Sequence, residues 1–274
     1  MHLDNIRTNA PPSLITTGTQ TIGCYNTYSA GFYHGYIDQL TVLFNQSKSA
    51  AQILADATLV VYYSMDCLSY TSLDSGPNQI NGIAIGVSAG DGGRLGQSYL
   101  FNSSLAYFQV TNLVLLGQSY SPYSFVMWLR PIISVFNGGT ILHLSRYTNG
   151  TGSCTQLIGF NSLGQIVANG YNSTGLISIV GPIINVDQWT HIVVTFKQTN
   201  GLRLYINGVL YAQSNPFVYA ASGVQMTVTV GQVLSGFNCS SGEIQSGYYR
   251  GQIDEFAIYS RELSQADITI MANP

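Results

Sequence analysis

Charged residues are scarce in this chain. Asp, Glu, Lys and Arg make up 8% of its 274 residues, whereas an average soluble domain contains about 25%. The nine Lys and Arg residues are spread along the whole sequence, and the formal net charge is −3. Because nucleic-acid binding relies on clustered basic side chains, the composition argues against a nucleic-acid partner.

Other absences narrow the possibilities further. No apolar run reaches the roughly 18 residues that a membrane-spanning helix requires. The four cysteines show no Cys-x-x-Cys spacing, which argues against a zinc site. The sequence also begins without the apolar core of a signal peptide, which taken alone favours the cytoplasm.

Alternating apolar residues and turn signals are abundant instead. The segment Trp189–Lys197 alternates, and Asn-Gly pairs at 200–201 and 207–208 lead from it into two further alternating segments. Asn-Gly between alternating segments is the strongest short-range sign of a β-hairpin, because both residues accept the positive φ of a type I′ turn. These residues predict a three-stranded antiparallel meander.

The rest of the sequence has the same character. Only residues 263–271 have a helical pattern, with Ser264 as the N-cap. The sequence therefore predicts an all-β protein, a two-sheet antiparallel jelly-roll sandwich with one short C-terminal helix. The further predicted strands are 57–65, 97–102, 106–110, 123–130, 138–145, 156–160, 164–169, 225–231 and 250–259.

A long-range repeat predicts how the chain is divided into domains. Gly247–Tyr259 resembles Gly31–Leu43, and Ser264–Ile268 resembles Ser49–Ile53. A repeat about one domain length apart indicates a tandem array.

From this repeat we predict that residues 1–56 are the C-terminal remnant of one domain and that residues 57–274 are a complete second copy. On this interpretation the true N-terminus, with its signal peptide, is missing, and the protein is extracellular or at the cell surface. This expectation outweighs the absence of a signal peptide in the sequence itself.

The repeat also favours one disulfide. Cys154 and Cys239 both lie in the predicted complete domain, whereas Cys24 corresponds to Cys239 and would have lost its partner with the missing part. Disulfides form in oxidising compartments. The alternative that all four cysteines, including Cys67, are free thiols stays open, because connectivity does not follow from sequence.

Seven short segments occur in an order that resembles the laminin-G-like, or concanavalin-A-like, jelly-roll family that includes the pentraxins. The resemblance implies two packed antiparallel sheets, an extracellular setting, and binding of glycans or proteins, often with one calcium ion. Fold alone does not settle function, since this family also contains glycosidases. The segments are Leu59–Asp66, Leu73–Asn78, Gly93–Phe101, Tyr123–Arg130, Gln188–Phe196, Leu204–Gly208 and Gly251–Leu263.

A calcium site is one expectation from this resemblance. Calcium takes about six to eight oxygen ligands, and the segment 74–78 supplies the carboxylate of Asp74, the amide of Asn78 and turn carbonyls. The resemblance implies Asp254 as the distant ligand, with Asp66 as a weaker candidate. The alternative is that Asp74 and Asn78 cap a turn through side-chain to backbone hydrogen bonds.

Exposed tyrosines are the second candidate site. Lectins stack sugars on aromatic rings, and Tyr147, Tyr171 and Tyr219 lie in segments rich in Asn or Gly. We predict that they face a glycan, and the alternative is ordinary packing within loops. Trp128 alternates with apolar residues and is expected in the core.

No catalytic arrangement is apparent in the sequence. A glycosidase needs two carboxylates across the scissile bond, and the adjacent pair Asp254 and Glu255 should point to opposite faces of a strand. The sequence therefore predicts a non-catalytic recognition module for glycans or proteins, in a tandem adhesion-type protein. The alternatives are a spacer domain without a ligand and an accessory carbohydrate-binding module of an enzyme whose catalytic domain lies outside this chain.

Overall fold

The computed structural model describes residues 47–274. The predicted remnant before residue 47, including Cys24, lies outside the described residues. The elements in chain order are α1 (Ala50–Thr58), β1 (Leu59–Tyr63), β2 (Thr71–Ser72), β3 (Gly82–Ile85), β4 (Ser88–Ala89), β5 (Tyr99–Phe101), β6 (Tyr107–Leu113), a 3₁₀ turn (Leu115–Gly117), β7 (Tyr123–Pro131), β8 (Gly139–Ser145), β9 (Thr155–Phe160), β10 (Gln165–Asn172), β11 (Gly175–Ile183), β12 (Thr190–Lys197), β13 (Gly201–Ile206), β14 (Val209–Gln213), β15 (Met226–Val230), β16 (Gly251–Tyr259) and α2 (Gln265–Met271).

The strands form two antiparallel sheets of eight strands each. The first has the order β14-β13-β12-β7-β16-β5-β4, with β1 also paired to β16. The second has the order β11-β10-β9-β8-β15-β6-β3-β2. Some neighbours in each sheet are far apart in sequence, as when β16 pairs with β5 and β7 and β15 pairs with β6 and β8. The predicted all-β sandwich is confirmed.

The main core lies between the sheets and is built from the alternate residues of each strand. On β7, Phe125, Met127 and Leu129 are almost fully buried in this core. Aromatic rings fill its centre, where Tyr63 meets Phe108 edge-on with ring centroids 4.8 Å apart. Each such ring buries a large apolar surface, so the aromatic residues supply much of the stability of the sandwich.

The predicted meander is confirmed, with a different first turn. Strands β12, β13 and β14 pair antiparallel in sequence order. At the second turn both Asn207 and Gly208 have positive φ, 48° and 82°, as a type I′ turn requires. At the first turn only Gly201 has positive φ, 72°, and Lys197 pairs directly with Gly201. Three residues therefore connect β12 to β13, because Gly201 extends the strand instead of forming the turn.

A smaller apolar cluster covers the outer face of the first sheet. The alternate residues Val126, Val193 and Tyr205 point away from the main core and pack with Leu263 and Ile268 of the C-terminal segment. The predicted C-terminal helix α2 is confirmed, and the reason for its position is that Ile268 is completely buried on this face.

Helix α1 was not expected, because residues 57–65 have a strand pattern. The helix begins after Ser49, whose hydroxyl accepts a hydrogen bond from the backbone N–H of Gln52. The side-chain oxygen of Gln52 in turn accepts a hydrogen bond from the backbone N–H of Ser49. Ser264 and Asp267 form the same capping box at α2. A side chain three residues after the cap closes the box in both helices, so the repeated sequence forms the same local structure twice. Within residues 47–274, no helix is long and apolar enough to cross a membrane.

Candidate functional site

An open cavity of about 310 Å³ lies at one end of the sandwich. Four strands bring residues to it: β8 and β10 end there with Leu144 and Tyr171, and β9 and β15 begin there with Thr155 and Met226. Antiparallel pairing of β8 with β9 and β15, and of β9 with β10, places these strand ends together. The segment 219–222 closes the remaining side.

Two of the three predicted glycan-facing tyrosines meet at this cavity, but they differ in exposure. Tyr171 is 38% exposed, so its ring is available to a ligand. Tyr219 is only 3% exposed, and its hydroxyl donates to the carbonyl of Leu116 at 2.8 Å. Its ring packs edge-on against Tyr123. Tyr219 therefore forms the wall of the cavity and cannot serve as a stacking platform, because its faces are covered by the core.

Tyr147 is not part of the cavity lining. Its side chain is 49% exposed, and the guanidinium of Arg146 lies over its ring, 5.1 Å from the centroid. The loop between β8 and β9 folds back on itself through Tyr147, whose N–H donates to the carbonyl of Thr151. The structure thus separates Tyr147 from the other two tyrosines.

Hydroxyl groups surround the rim of the cavity. Ser153 and Ser240 are exposed lining residues, and neither side chain hydrogen-bonds to another of the described residues. The hydroxyl of Thr155 is buried and donates to the carbonyl of Ser240 at 3.0 Å. The rim therefore offers free hydroxyls above an apolar floor that includes Leu116 and Met226.

A disulfide between Cys154 and Cys239, the preferred pair from the sequence, fixes this rim. Cys154 itself lines the cavity between Ser153 and Thr155, and Ser240 follows Cys239. The two segments also pair directly, since Thr155 forms an isolated β-bridge with Ser240. Cys67 is exposed and is a free thiol. Serines next to a predicted disulfide are a sequence signal that could have pointed to this site.

The predicted calcium ligands Asp74 and Asn78 tie a turn to β1. One carboxylate oxygen of Asp74 accepts from the N–H groups of Tyr62 and Gly76, both at 2.8 Å, and the other accepts from Ile80 at 3.0 Å. The amide nitrogen of Asn78 donates to the carbonyls at positions 59 and 60. These are the side-chain to backbone bonds of a capped turn.

Asp254 is also a backbone acceptor. Its carboxylate accepts from the N–H groups of Arg94, Leu95 and Glu255 at 2.7–3.1 Å, and the side chain is fully buried. Burial raises its pKa to about 7, although the hydrogen bonds from the backbone act in the opposite direction. Asp66 accepts from the N–H of Gln97 at 2.8 Å. Asp254 and Asp66 therefore both hold the segment 94–97 in place, whereas Asp74 and Asn78 hold the turn beside β1.

The present arrangement does not fit a calcium ion. Within residues 47–274, no three His, Cys, Asp or Glu side chains lie where they could hold a metal together. A hard cation needs several oxygens directed at one point, whereas the oxygens of Asp74 and Asp254 are directed at backbone N–H groups.

The expectation that Asp254 and Glu255 point to opposite faces is wrong. Ile253 and Phe256 both point into the main core, so the two residues between them lie on the outer side. The cause is a β-bulge, seen as a shift of register with β7 and a φ of 54° at Glu255. Glu255 accepts from the hydroxyl of Tyr62 at 2.7 Å. Because Asp254 has no exposed surface, this pair cannot act across a bound sugar.

A buried aromatic and cationic cluster lies beside Asp254. Trp128, expected in the core, is 6% exposed, but on the outer face of the sheet. The guanidinium of Arg94 lies over its ring, 4.7 Å from the centroid, and the ring of His191 is 4.9 Å away. Neither ring nitrogen of His191 has a hydrogen-bond partner among the described residues. Burial, with a smaller effect of Arg94, lowers the pKa of His191 to about 4.

A match to a family model identifies the superfamily of the chain. The model of concanavalin A-like lectins and glucanases, of the laminin-G type, matches residues 102–269, which is more than half of the chain. The chain belongs to this superfamily. No curated protein matches it.

Solved structures share the fold of the chain. The chain is similar to the binding domain of Paraclostridial mosquitocidal protein 1, with a TM-score of 0.59 and 19% identity over 80% of this chain and 52% of that one. It is also similar to a binding domain of botulinum neurotoxin serotype D, with a TM-score of 0.57 and 19% identity over 82% and 52%.

A third similar structure has nearly the same length as the described domain. It is domain 4 of AbnA, a GH43 extracellular arabinanase from Geobacillus stearothermophilus, in complex with arabinotriose, with a TM-score of 0.54 and 19% identity over 79% of this chain and 98% of that one. In contrast, the chain spans about half the length of the two toxin domains. At this identity the likeness concerns the fold alone.

Proposed function

We propose that this domain is an extracellular, non-catalytic module that recognises a glycan in the cavity at Tyr171. The observation that carries the proposal is the composition of that cavity, which combines an exposed tyrosine ring, an apolar floor and free serine hydroxyls. Ligand sites are typically clefts of about 300–1,000 Å³ with a mainly apolar lining and a few placed polar groups. The cavity of about 310 Å³ is at the lower end of this range.

A sugar matches this arrangement in its surface chemistry. One face of a sugar ring carries C–H groups, which pack on an aromatic ring or an aliphatic floor, whereas its edge carries hydroxyls. Tyr171 offers an exposed apolar ring above a floor of nearly buried apolar side chains, and Ser153 and Ser240 offer hydrogen bonds at the rim. The disulfide holds the two serines in fixed positions, so little conformational entropy is lost when a ligand binds.

The comparisons support a binding role. Two of the similar structures are binding domains of toxins, and the third holds arabinotriose. The buried carboxyl of Asp254 supports a module without catalysis, since a catalytic carboxyl has to reach its substrate.

An accessory carbohydrate-binding module of an enzyme is a second candidate. It is favoured by the similarity to domain 4 of an extracellular arabinanase, since the match includes 98% of the length of that domain. The two candidates differ in the ligand: an accessory module binds the polymer that its enzyme degrades, so binding restricted to plant polysaccharides such as arabinan supports the second.

A tandem arrangement with division at residue 57 remains part of the proposal. It is supported by the shared capping box of α1 and α2. The two helices differ in burial, because Ile268 is completely buried whereas the corresponding Ile53 is 53% exposed. An apolar residue at this position of α1 is explained if the helix is the closing helix of a preceding repeat. Repeated weak modules gain avidity when several sites are engaged together.

Replacing Tyr171 with alanine is expected to weaken glycan binding at least 10-fold. The substitution removes the exposed ring from the cavity, and loss of a central aromatic contact typically costs more than about 1.4 kcal/mol, which corresponds to this factor. The measurement is isothermal titration with arabinotriose and with the strongest binder of a glycan panel. Tyr171→Phe keeps the ring and should bind within about threefold of the wild type.

Tyr147→Ala is the matched control, because it removes an exposed tyrosine outside the cavity. Equal affinity of the wild type and Tyr171→Ala for the same glycan would place the binding site elsewhere. The open depression formed by residues 64–75 would then be the next site to test.

Calcium binding at Asp74, Asn78, Asp254 and Asp66 stays a prediction, and it requires that these side chains exchange backbone N–H groups for the ion. A ligand at 100 times its Kd stabilises the folded state by about 2.7 kcal/mol. For a domain of this size, we expect such binding to raise Tm by about 5 °C or more. Differential scanning calorimetry in calcium and in EDTA measures this rise, and equal Tm values would contradict the prediction.

A further inference from the structure

The lining of the Tyr171 cavity carries no charge. None of the described residues that line it is Asp, Glu, Lys, Arg or His. The depression at residues 64–75 differs, since Asp66 is part of its lining. Neutrality therefore distinguishes the Tyr171 cavity from that depression. A third, shallower depression beside Tyr107 and Thr148 is also uncharged, as expected in a chain with few charges overall.

A neutral lining discriminates between classes of glycan. A carboxylate or sulfate that enters a partly apolar cavity loses water, and this loss is compensated only by a cation or by several hydrogen-bond donors. The cavity offers an acidic group no cation, and the floor side chains of Leu116, Leu144 and Met226 offer it no hydrogen-bond donor.

An uncharged sugar has no such cost. Its hydroxyls can exchange hydrogen bonds to water for hydrogen bonds to Ser153 and Ser240, which each both donate and accept. These serines are exposed at the rim, so they can reach the ring edge while the C–H face lies on the apolar floor.

We infer that the cavity is specific for uncharged saccharide units and excludes sialylated, sulfated and uronic acid units. This inference rests on the proposed glycan-binding function and adds the ligand class. A protein partner that inserts an apolar side chain is the competing occupant, but such a ligand would leave the hydroxyls of the rim without a role.

The test compares pairs of glycans that differ only in charge, using the full 274-residue chain at about 0.15 M salt. Each pair consists of a neutral oligosaccharide and the same oligosaccharide with its terminal unit sialylated or oxidised to a uronic acid. We expect the neutral member to bind at least 10-fold more tightly, and the difference to disappear in Tyr171→Ala.

A variant that introduces a positive charge tests the inference in the opposite direction, because it should favour the acidic glycans. Ser240→Lys adds a cation at the rim and is expected to raise affinity for the acidic member of each pair at least threefold. Ser104→Lys is the matched control, because Ser104 is an exposed serine in the turn between β5 and β6, outside the cavity. Circular dichroism and Tm verify that both variants are folded.

The possible outcomes distinguish a failure of the inference about ligand charge from a failure of the proposed glycan-binding function. Tighter, Tyr171-dependent binding of the acidic members would overturn the inference and leave the glycan-binding function intact. Absence of binding to any glycan would overturn the proposed function and the inference with it. Binding of a protein ligand alone, at Tyr171, would have the same consequence for both.

Discussion

Replacing Cys154 and Cys239 together with serine is expected to lower the free energy of unfolding by about 4 kcal/mol. The two cysteines are 85 residues apart in sequence, and in the chain-entropy model a crosslink that closes a loop of this length restricts the unfolded chain by roughly 4–5 kcal/mol. For a domain of this size, we expect Tm to fall by about 10 °C. Denaturant unfolding and calorimetry measure both quantities.

The same double variant should also lose glycan affinity, because the disulfide joins the two segments that carry Ser153 and Ser240. Cys67→Ser is the control, since it removes an exposed free thiol that takes no part in the crosslink. A double variant with the wild-type Tm and affinity would show that the crosslink neither stabilises the domain nor shapes the cavity.

Replacing His191 with phenylalanine is expected to remove about 2 kcal/mol of acid destabilisation at pH 5. The ordinary histidine pKa is about 6.5, whereas burial lowers the pKa of His191 to about 4 in the folded state. Between these values the unfolded chain binds a proton that the folded protein does not bind, so stability is lost as pH falls. Phenylalanine keeps a planar ring against Trp128 and has no nitrogen to protonate.

The wild type alone does not reveal this effect, because Asp254 acts in the opposite direction. Burial raises the pKa of Asp254 to about 7, so the folded state binds a proton that the unfolded chain lacks, and acid stabilises it in this range. The measurement is therefore the loss of unfolding free energy between pH 7 and pH 5, compared between wild type and His191→Phe. This comparison also cancels any packing cost of the larger ring.

An equal loss in both proteins would contradict the lowered pKa of His191. It would mean that the ring nitrogens are protonated or solvated in the folded state. Proton NMR of the imidazole resonances between pH 4 and 7 gives an independent measurement of the same pKa.

Local signals made much of the fold predictable. The meander β12-β13-β14 follows from strand alternation and Asn-Gly turns, and the bend at 207–208 has the predicted backbone conformation. The repeat favoured the disulfide pair that the structure contains, although the sequence alone left four free thiols as an alternative. These features depend on neighbouring residues or on one comparison within the chain, so they can be predicted from the sequence without the tertiary structure.

Other elements depend on contacts that the sequence does not display. Strand β11 was missed because its residues Gly175–Ile183 are mostly half-buried at a sheet edge and include a proline, which weakens the strand pattern. Helix α1 was missed because its last residues merge into the strand pattern of β1. The bulge at Glu255 has no sequence marker, yet it places two acids on one face.

The candidate site was predictable only in part. Tyr171 could be selected from its Asn- and Gly-rich surroundings, but the same argument selected Tyr147 and Tyr219, of which one lies elsewhere and the other is buried. Ser153 and Ser240 come from segments about 85 residues apart and meet through the disulfide and a β-bridge. Such a meeting depends on the topology of the second sheet.

A glycan array probed with the 274-residue chain and with its Tyr171→Ala variant, each in calcium and in EDTA, shows whether the Tyr171 cavity binds glycans. We expect saturable binding of the wild type to uncharged glycans and loss of that binding in the variant. Binding that is the same in both proteins would contradict the assignment of the site to the Tyr171 cavity. Absence of binding in either buffer would contradict the glycan-binding function itself.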